Sequence, residues 1–466
     1  MKRILPALRS ALIVPFLLAG ASAARAQNAS SDSEEIKALR AQIQALDEKL
    51  RVLERKNELR DEAAATAAAS AAKVNINDRG LTITSADAAN SIKVRGLVQL
   101  DSRLFFNDGG GLVNNSFVLR RARLISEGTF AKNYSFQLVP EFGGTGAVSI
   151  VDANLGIAVT PSFQLKFGKF KSPVGLELLQ SDSWTFFNER SIVTNLVPNR
   201  DLGVQASGDV LGGKLNYALG VFGGVSDGGN TTNADFDNEK DVVARVFASP
   251  FKNDVGSPVQ GLSFGVSGSV GREKSTAGRT GGYRTDGQQT FFSYAASTVV
   301  DGQNWRISPQ FDYRHGSFGL LGEYVASTVN VRPSATGAKT ELRNTGWQLA
   351  TGYVLTGENS SYNGVVPATN FDLTAGTWGA FEVVARYSNL KVDDAAFPLF
   401  ASPATNADEA SAVGVGLNWY LSKAVAFKID YYQTKFGFNS LAPATSASQV
   451  LRQDEQSFIT RFQLAF

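Results

Sequence analysis

From Lys73 to the last residue, apolar and polar side chains alternate in short runs separated by turn formers, the period of β-strands with one greasy face. In the final run Phe458, Thr460, Phe462, Leu464 and Phe466 share one parity, while Ser457, Ile459, Arg461 and Gln463 take the other. Val94, Val98, Leu100, Leu104 and Phe106 oppose Arg95, Gln99, Asp101 and Arg103 in the same way, and Trp305, Ile307, Phe311 and Tyr313 oppose Arg306, Gln310, Asp312 and Arg314. An Arg or Lys facing lipid costs roughly 2–4 kcal/mol at mid-bilayer, so the polar parities are expected to face a wet lumen. A soluble β-sandwich would alternate too, with its apolar faces sharing one interior. Short breaks at 131–133, 160–162, 315–316 and 421–423 are interleaved with long polar ones at 226–239, 271–288, 392–409 and 437–453. That asymmetry predicts an all-β, transmembrane antiparallel β-barrel of about sixteen strands over residues 91–466. Fourteen or eighteen strands also fit, the count being even because both ends lie on one side.

The N-terminal pattern is different. Apolar residues fall at Ile36, Leu39, Ile43, Leu46, Leu50 and Leu53, alternating steps of three and four, which predicts a coiled coil of about three heptads within residues 27–62. A lone amphipathic helix on another surface is the alternative, but the narrow seam favours self-association. Tethering to an oligomeric barrel would raise the effective concentration of so short a coil. The Ala-rich stretch from Ala63 to Ala72 opens a tether and lead-in over residues 63–90. Ahead of the coil, Lys2, Arg3 and Arg9 precede an apolar run from Ala11 to Ala19, and Ala24 and Ala26 supply small residues for a peptidase. Residues 1–26 therefore read as a signal peptide, and the coil is expected in the periplasm.

Composition narrows the chemistry. Cysteine is absent, so neither disulfides nor thiolate–metal sites are available. The one histidine, His315, lies in a tight turn, where a solvated residue is favoured over a catalytic base, and with no second histidine any Ser-His or His-metal design would have to use it. No phosphate-cradling glycine motif or nucleic-acid module stands out, so no enzyme, cofactor or nucleic-acid partner is expected. The formal charge of +2 becomes −2 once the four basic residues of the signal are removed, and residues 27–72 carry −2 themselves. The barrel is thus near neutral, and any ion preference depends on where charges point.

Several stretches resemble the phosphate-selective porin O and P family: FVLRRARLISEG at 117–128, IVDANLGI at 150–157, FGKFKSPVGLE at 167–177 and NRDLGVQ at 199–205. The stretches TGEN at 356–359, GTWGAFEVVARYSNL at 376–390 and VGLNWYLSKAVAFKIDYY at 415–432 follow in order, and a terminal Phe resembles the closing signature of bacterial outer-membrane proteins. The resemblance implies a homotrimer of sixteen-stranded barrels in a Gram-negative outer membrane, in contact with its lipid. It also implies a third outer loop, about 172–200, folded into the lumen, and passive diffusion of small anions, phosphate or polyphosphate above all.

A loop that narrows a pore selects anions when Arg or Lys ring the gap. The candidates on the loop and its flanks are Lys169, Lys171, Arg190 and Arg200, and the matching basic strand supplies Arg120, Arg121 and Arg123. By parity Arg121 and Arg123 face water while Val118, Ala122 and Leu124 face lipid; Arg120 falls on the wrong face unless it snorkels or a bulge turns it inward. Arg306 and Arg386 extend the track, beside acids such as Asp312, Glu382 and Asp430, and Asp152 is placed to temper binding. Two other readings are a weakly selective porin for other solutes and an envelope anchor acting through its coil.

Overall fold

The computed structural model describes residues 31–106, 113–144, 146–274, 281–443 and 454–466, so the expected signal peptide lies outside the described residues. The chain divides into two compact units at Ala71. The first is one helix, α1 (Ser31–Ser70), which runs on through most of the Ala-rich stretch. Ile36, Leu39, Ile43, Leu46, Leu50 and Leu53 are each more than half exposed on it. No described helix is long and apolar enough to cross a membrane.

The second unit opens with a hairpin, β1 (Lys73–Asn77) and β2 (Gly80–Thr84), inside the stretch expected as tether and lead-in. The wall follows as β3 (Ser91–Phe105), β4 (Ser116–Phe130), β5 (Tyr134–Glu141), β6 (Ser149–Thr160), β7 (Phe163–Lys171), β8 (Arg200–Val210), β9 (Leu215–Phe222), β10 (Asp241–Ala248) and β11 (Leu262–Lys274). A small separate hairpin, β12 (Gly282–Arg284) and β13 (Thr290–Ser293), sits in the next outer connection. The wall then resumes with β14 (Val299–His315), β15 (Phe318–Arg332), β16 (Thr340–Val354), β17 (Ala380–Lys391), β18 (Glu409–Tyr420), β19 (Val425–Gly437) and β20 (Asp454–Ala465). Each wall strand pairs antiparallel with the next, and β20 pairs with β3 from Ser457 opposite Phe105 to Ala465 opposite Leu97. Sixteen strands therefore form a closed barrel, which leaves no open edge along its wall.

The closure explains the terminal residue. Phe466 donates its amide to the Gly96 carbonyl at 3.0 Å and accepts from the Gly96 amide at 2.8 Å. Its ring lies 2.5 Å from where a Cβ on residue 96 would sit, so any side chain there would displace the ring. Where β20 ends, β2 takes over, pairing Leu81–Thr84 with the first residues of β3. Along β20 the parities separate as the alternation demands: Phe462 and Phe466 are exposed, whereas Ile459, Arg461 and Gln463 are buried inside.

Two connections depart from the expected pattern of short turns. On the side of the chain ends, residues 355–379 join β16 to β17 and residues 249–261 join β10 to β11. The first folds back into the barrel, as described below.

Candidate functional site

A loop inside a barrel must find partners for its peptide groups, because the lumen wall offers no ladder. The segment between β7 and β8, residues 172–199, is matched to the wall group by group. Gln99 on β3 donates to the Asp182 carbonyl and Gln463 on β20 to the Ser183 carbonyl, both at 3.0 Å. Lys428 on β19 reaches the Thr185 carbonyl at 2.5 Å, Asn418 on β18 the Phe186 carbonyl at 2.8 Å, and Arg461 the Asn188 carbonyl. Glu323 on β15 accepts from the Leu176 amide at 2.7 Å. The same loop buries Leu176, Phe186 and Phe187 against Leu321, Ala350, Val384, Tyr432 and Ile459. Apart from that of Gln99, these contacts lie on β15–β20, and open space remains towards β3–β10.

That space consists of two cavities. The larger, about 1080 Å³, is lined from β3–β10 and by residues of the 355–379 connection, including Glu358, Asn359, Ser361 and Asn363. The smaller, about 640 Å³, lies towards the outer loops and is lined by Arg120, Arg121, Arg123, Glu141, Lys169, Arg190 and Arg200 among others. Arg123, Asp182 and Arg200 line both. These three side chains are where the two linings meet.

Asp182 is the loop carboxylate at that point, and four guanidinium groups surround it. Arg121 lies at 3.4 Å and Arg200 at 3.8 Å, with Arg123 and Arg190 also in ion pairs with it. Burial would raise this carboxyl, but Arg121, Arg190, Arg123 and Lys171 outweigh it and hold it well below the usual carboxylate range. Glu189 is likewise buried and is held well below that range by Arg120 and Arg461. Arg120 reaches Glu189 at 2.6 Å because a β-bulge falls beside it, the register moving between Gln99 opposite Arg121 and Leu100 opposite Leu119. The bulge settles the parity conflict and reverses the expectation ahead of it: Phe117 and Leu119 face outward, and Val118 does not.

The remaining candidates divide. Asp152 pairs with Arg200 at 3.4 Å and lines the larger cavity, as does Lys171, whose ammonium donates to the Leu178 and Gln180 carbonyls. Lys169 donates to the Thr232 carbonyl and to Asn233 at 3.3 Å. Arg306 and Arg386 line neither cavity. Arg306 is buried against Asp227 at 2.8 Å and Asp241 at 3.5 Å, and Arg386 against Asp286 at 2.8 Å and Glu177 at 3.2 Å. Both belong to the anchoring of outer loops, and their acids are Asp227, Asp286 and Glu177 from loops and Asp241 from the start of β10, rather than Asp312, Glu382 or Asp430. Among the described residues no three acidic or histidine side chains gather in a way that would hold a metal ion.

One part of the site escaped the sequence pattern. The Tyr362 hydroxyl donates to the Leu176 carbonyl at 2.6 Å, Gln180 donates to the Tyr362 carbonyl at 2.7 Å, and Gly364 packs against Trp184, where a side chain would collide with the indole. The 355–379 connection thereby supports the inserted loop from the opposite end. Its signal was the polar, glycine-containing run from Gly357 to Gly364, which marks a loop but not its direction.

The model of the family described as phosphate-selective porin O and P matches residues 92–466. Porin O of Pseudomonas aeruginosa is 25% identical over 390 residues, covering 76% of this chain and 85% of that protein. Among solved structures, the outer membrane channel DcaP of Acinetobacter baumannii superposes with a TM-score of 0.52 at 12% identity, covering 81% of this chain and 98% of that one. The anion-selective porin from Comamonas acidovorans gives 0.50 at 13% identity, covering 81% and 100%. The matched region spans the entire closed barrel with its inserted loop, and the chain belongs to the phosphate-selective porin O and P family: it is an outer-membrane porin, a channel rather than an enzyme.

Proposed function

We propose that the barrel conducts small anions passively across the outer membrane, phosphate among them, and selects them where the two cavities meet. The observation that carries this reading is the single carboxylate of Asp182 among four arginines at that junction. The larger cavity is lined by nine basic and four acidic side chains and the smaller by six and three, so a near-neutral barrel still presents a positive path. Arginine suits an oxyanion because its planar fork offers paired donors and stays charged. The neighbouring carboxylates keep the path from binding too tightly, which throughput requires. Reversal potential in a planar bilayer under a salt gradient tests the preference, and phosphate added to a chloride background tests the site. Cation preference would sink the reading; chloride preference without block by phosphate would remove phosphate from it.

The same proposal includes a homotrimer seated in outer-membrane lipid, with α1 as a self-associating coil on the periplasmic side. Its exposed apolar seam supports this. Deleting residues 28–72 should leave conductance intact. Loss of conductance would favour an anchor role in which the helix governs the assembly.

A further inference from the structure

We propose that the larger cavity also takes organic anions with an aromatic body, aromatic monocarboxylates as the class; this rests on the reading that the barrel conducts anions, and adds a second kind of permeant ion. The inward parity of β3–β5 is mostly polar, yet Leu97, Ile125 and Val139 occupy inward positions on these three consecutive strands and line this cavity. In the ladder Leu97 lies opposite Arg123 and Ile125 opposite Arg95, so apolar and cationic side chains alternate across the wall. Inorganic phosphate gains nothing from apolar surface. An anion that carries a ring gains by covering it, because both surfaces leave water.

Aromatic side chains mark the same cavity. Phe170 and Trp184 line it, and among the described residues no aromatic side chain lines the smaller one. The Trp184 amide donates to the Ser181 carbonyl at 3.0 Å, and its carbonyl accepts from Gln180 at 2.9 Å. A Cβ on residue 364 would lie 2.3 Å from the indole, so that glycine's backbone braces the ring. Trp184 nevertheless stays partly exposed, and Val366, two residues beyond the glycine, is 48% exposed beside the same cavity. A ring already fixed in place offers a stacking face at little further cost in ordering.

The charged head finds its own partners. Lys166 and Arg245 line this cavity, the ammonium 5.3 Å from the Phe170 ring and the guanidinium 4.4 Å from the Phe247 ring. Arg245 otherwise reaches only the amide oxygens of Asn216 at 3.4 Å and Gln310 at 3.3 Å, in contrast to Arg95, which pairs with Glu127 at 2.8 Å. A carboxylate can therefore meet a cation that no acid has neutralised, with apolar surface beside it. At about 1080 Å³ the cavity is as large as the roughly 300–1000 Å³ pockets that hold small organic ligands.

The test uses the full-length porin in a planar bilayer carrying chloride current, with benzoate, acetate or phosphate added. Benzoate should halve the current at a concentration about tenfold below acetate, which has the same charged head and no ring. Equal concentrations would overturn the proposal and leave the anion pore standing; cation preference in the same bilayer would remove the anion pore, and this proposal with it. Trp184→Ala should raise the half-blocking concentration of benzoate about tenfold relative to that of phosphate, and Trp184→Phe should recover most of the loss. A parallel rise for both ions would make Trp184 a support of the loop alone and overturn the ring subsite. Val366→Ser lies outside the inserted loop and keeps the test open should the Trp184 variants fail to assemble. It should raise the benzoate value about twofold relative to phosphate, and an unchanged ratio would overturn the proposal.

Discussion

The two halves of the barrel wall carry similar alternation but enclose different interiors. Against β14–β19 the lumen is filled: Phe291, Phe292, Val392, Phe397 and Phe400 from two outer loops join Ile192, Val193 and Leu196 of the inserted loop against Val325, Leu342, Leu390 and Ala410. Along β3–β10 the inward side chains line the cavities. Arginines on the two sides therefore act differently. Arg386 is sealed between Asp286 and Glu177 with its guanidinium 4.5 Å from the Phe187 ring, so it organises a packed core, whereas Arg123 and Arg200 line both cavities. A charge buried and matched on all sides anchors structure; the same charge beside a cavity attracts a mobile ion.

The contrast can be broken most forcefully on the filled side. Phe187→Ala empties a fully buried site and should cost about 3–5 kcal/mol of barrel stability in urea or heat unfolding, with ion selectivity kept. Arg386→Gln leaves Asp286 and Glu177 without their cation and should cost about 3–5 kcal/mol, again without changing the reversal potential. A shift towards cations in either variant would mean that the filled side also lies on the ion path. On the open side, Arg123→Ala with Arg200→Ala should lower the anion-to-cation permeability ratio about tenfold, equivalent to about 1.4 kcal/mol, with stability less affected than in the two variants above. Unchanged selectivity would make those arginines anchors too.

Asp182→Asn sharpens the comparison further, because it removes the carboxylate and keeps the arginines. Phosphate should then block chloride current at a concentration about threefold lower; an unchanged block would show that the permeant ion does not visit that cluster. The smallest effect is on pH. Asp182 and Glu189 have depressed values in the folded chain, so their contribution to loop docking is fully present above the unfolded carboxylate range near pH 4. That contribution is lost as pH falls through the depressed values. Current noise from loop motion should therefore rise below about pH 4, and a quiet pore at pH 2 would contradict it.

Much of this was legible from local pattern. Alternation marked the strands, their inward parity and the closing role of Phe466, because side-chain direction in a strand repeats every two residues whatever lies elsewhere. Eight of the ten candidate residues, Arg120, Arg121, Arg123, Asp152, Lys169, Lys171, Arg190 and Arg200, line a cavity. Arg306 and Arg386 share the inward parity yet lie outside both cavities, since outer loops arrive to cover them. Periodicity says nothing about a loop that returns. The bulge at Arg120 and the inward fold of residues 355–379 were hidden for the same reason: each is a response to a partner in another part of the chain.

The sequence by itself determined the strand alternation, the exposed seam of α1 and the inventory of charges, all properties of residues a few positions apart. Tertiary structure decided which inward charges stay wet. Arg386 meets Glu177 across 209 residues of chain, and Asn188 meets the Ile459 carbonyl across 271. Such pairings depend on how the outer connections pack once the barrel has closed. A near-neutral set of charges becomes a positive path because packing pairs and buries them on one side of the lumen and leaves arginines beside open space on the other.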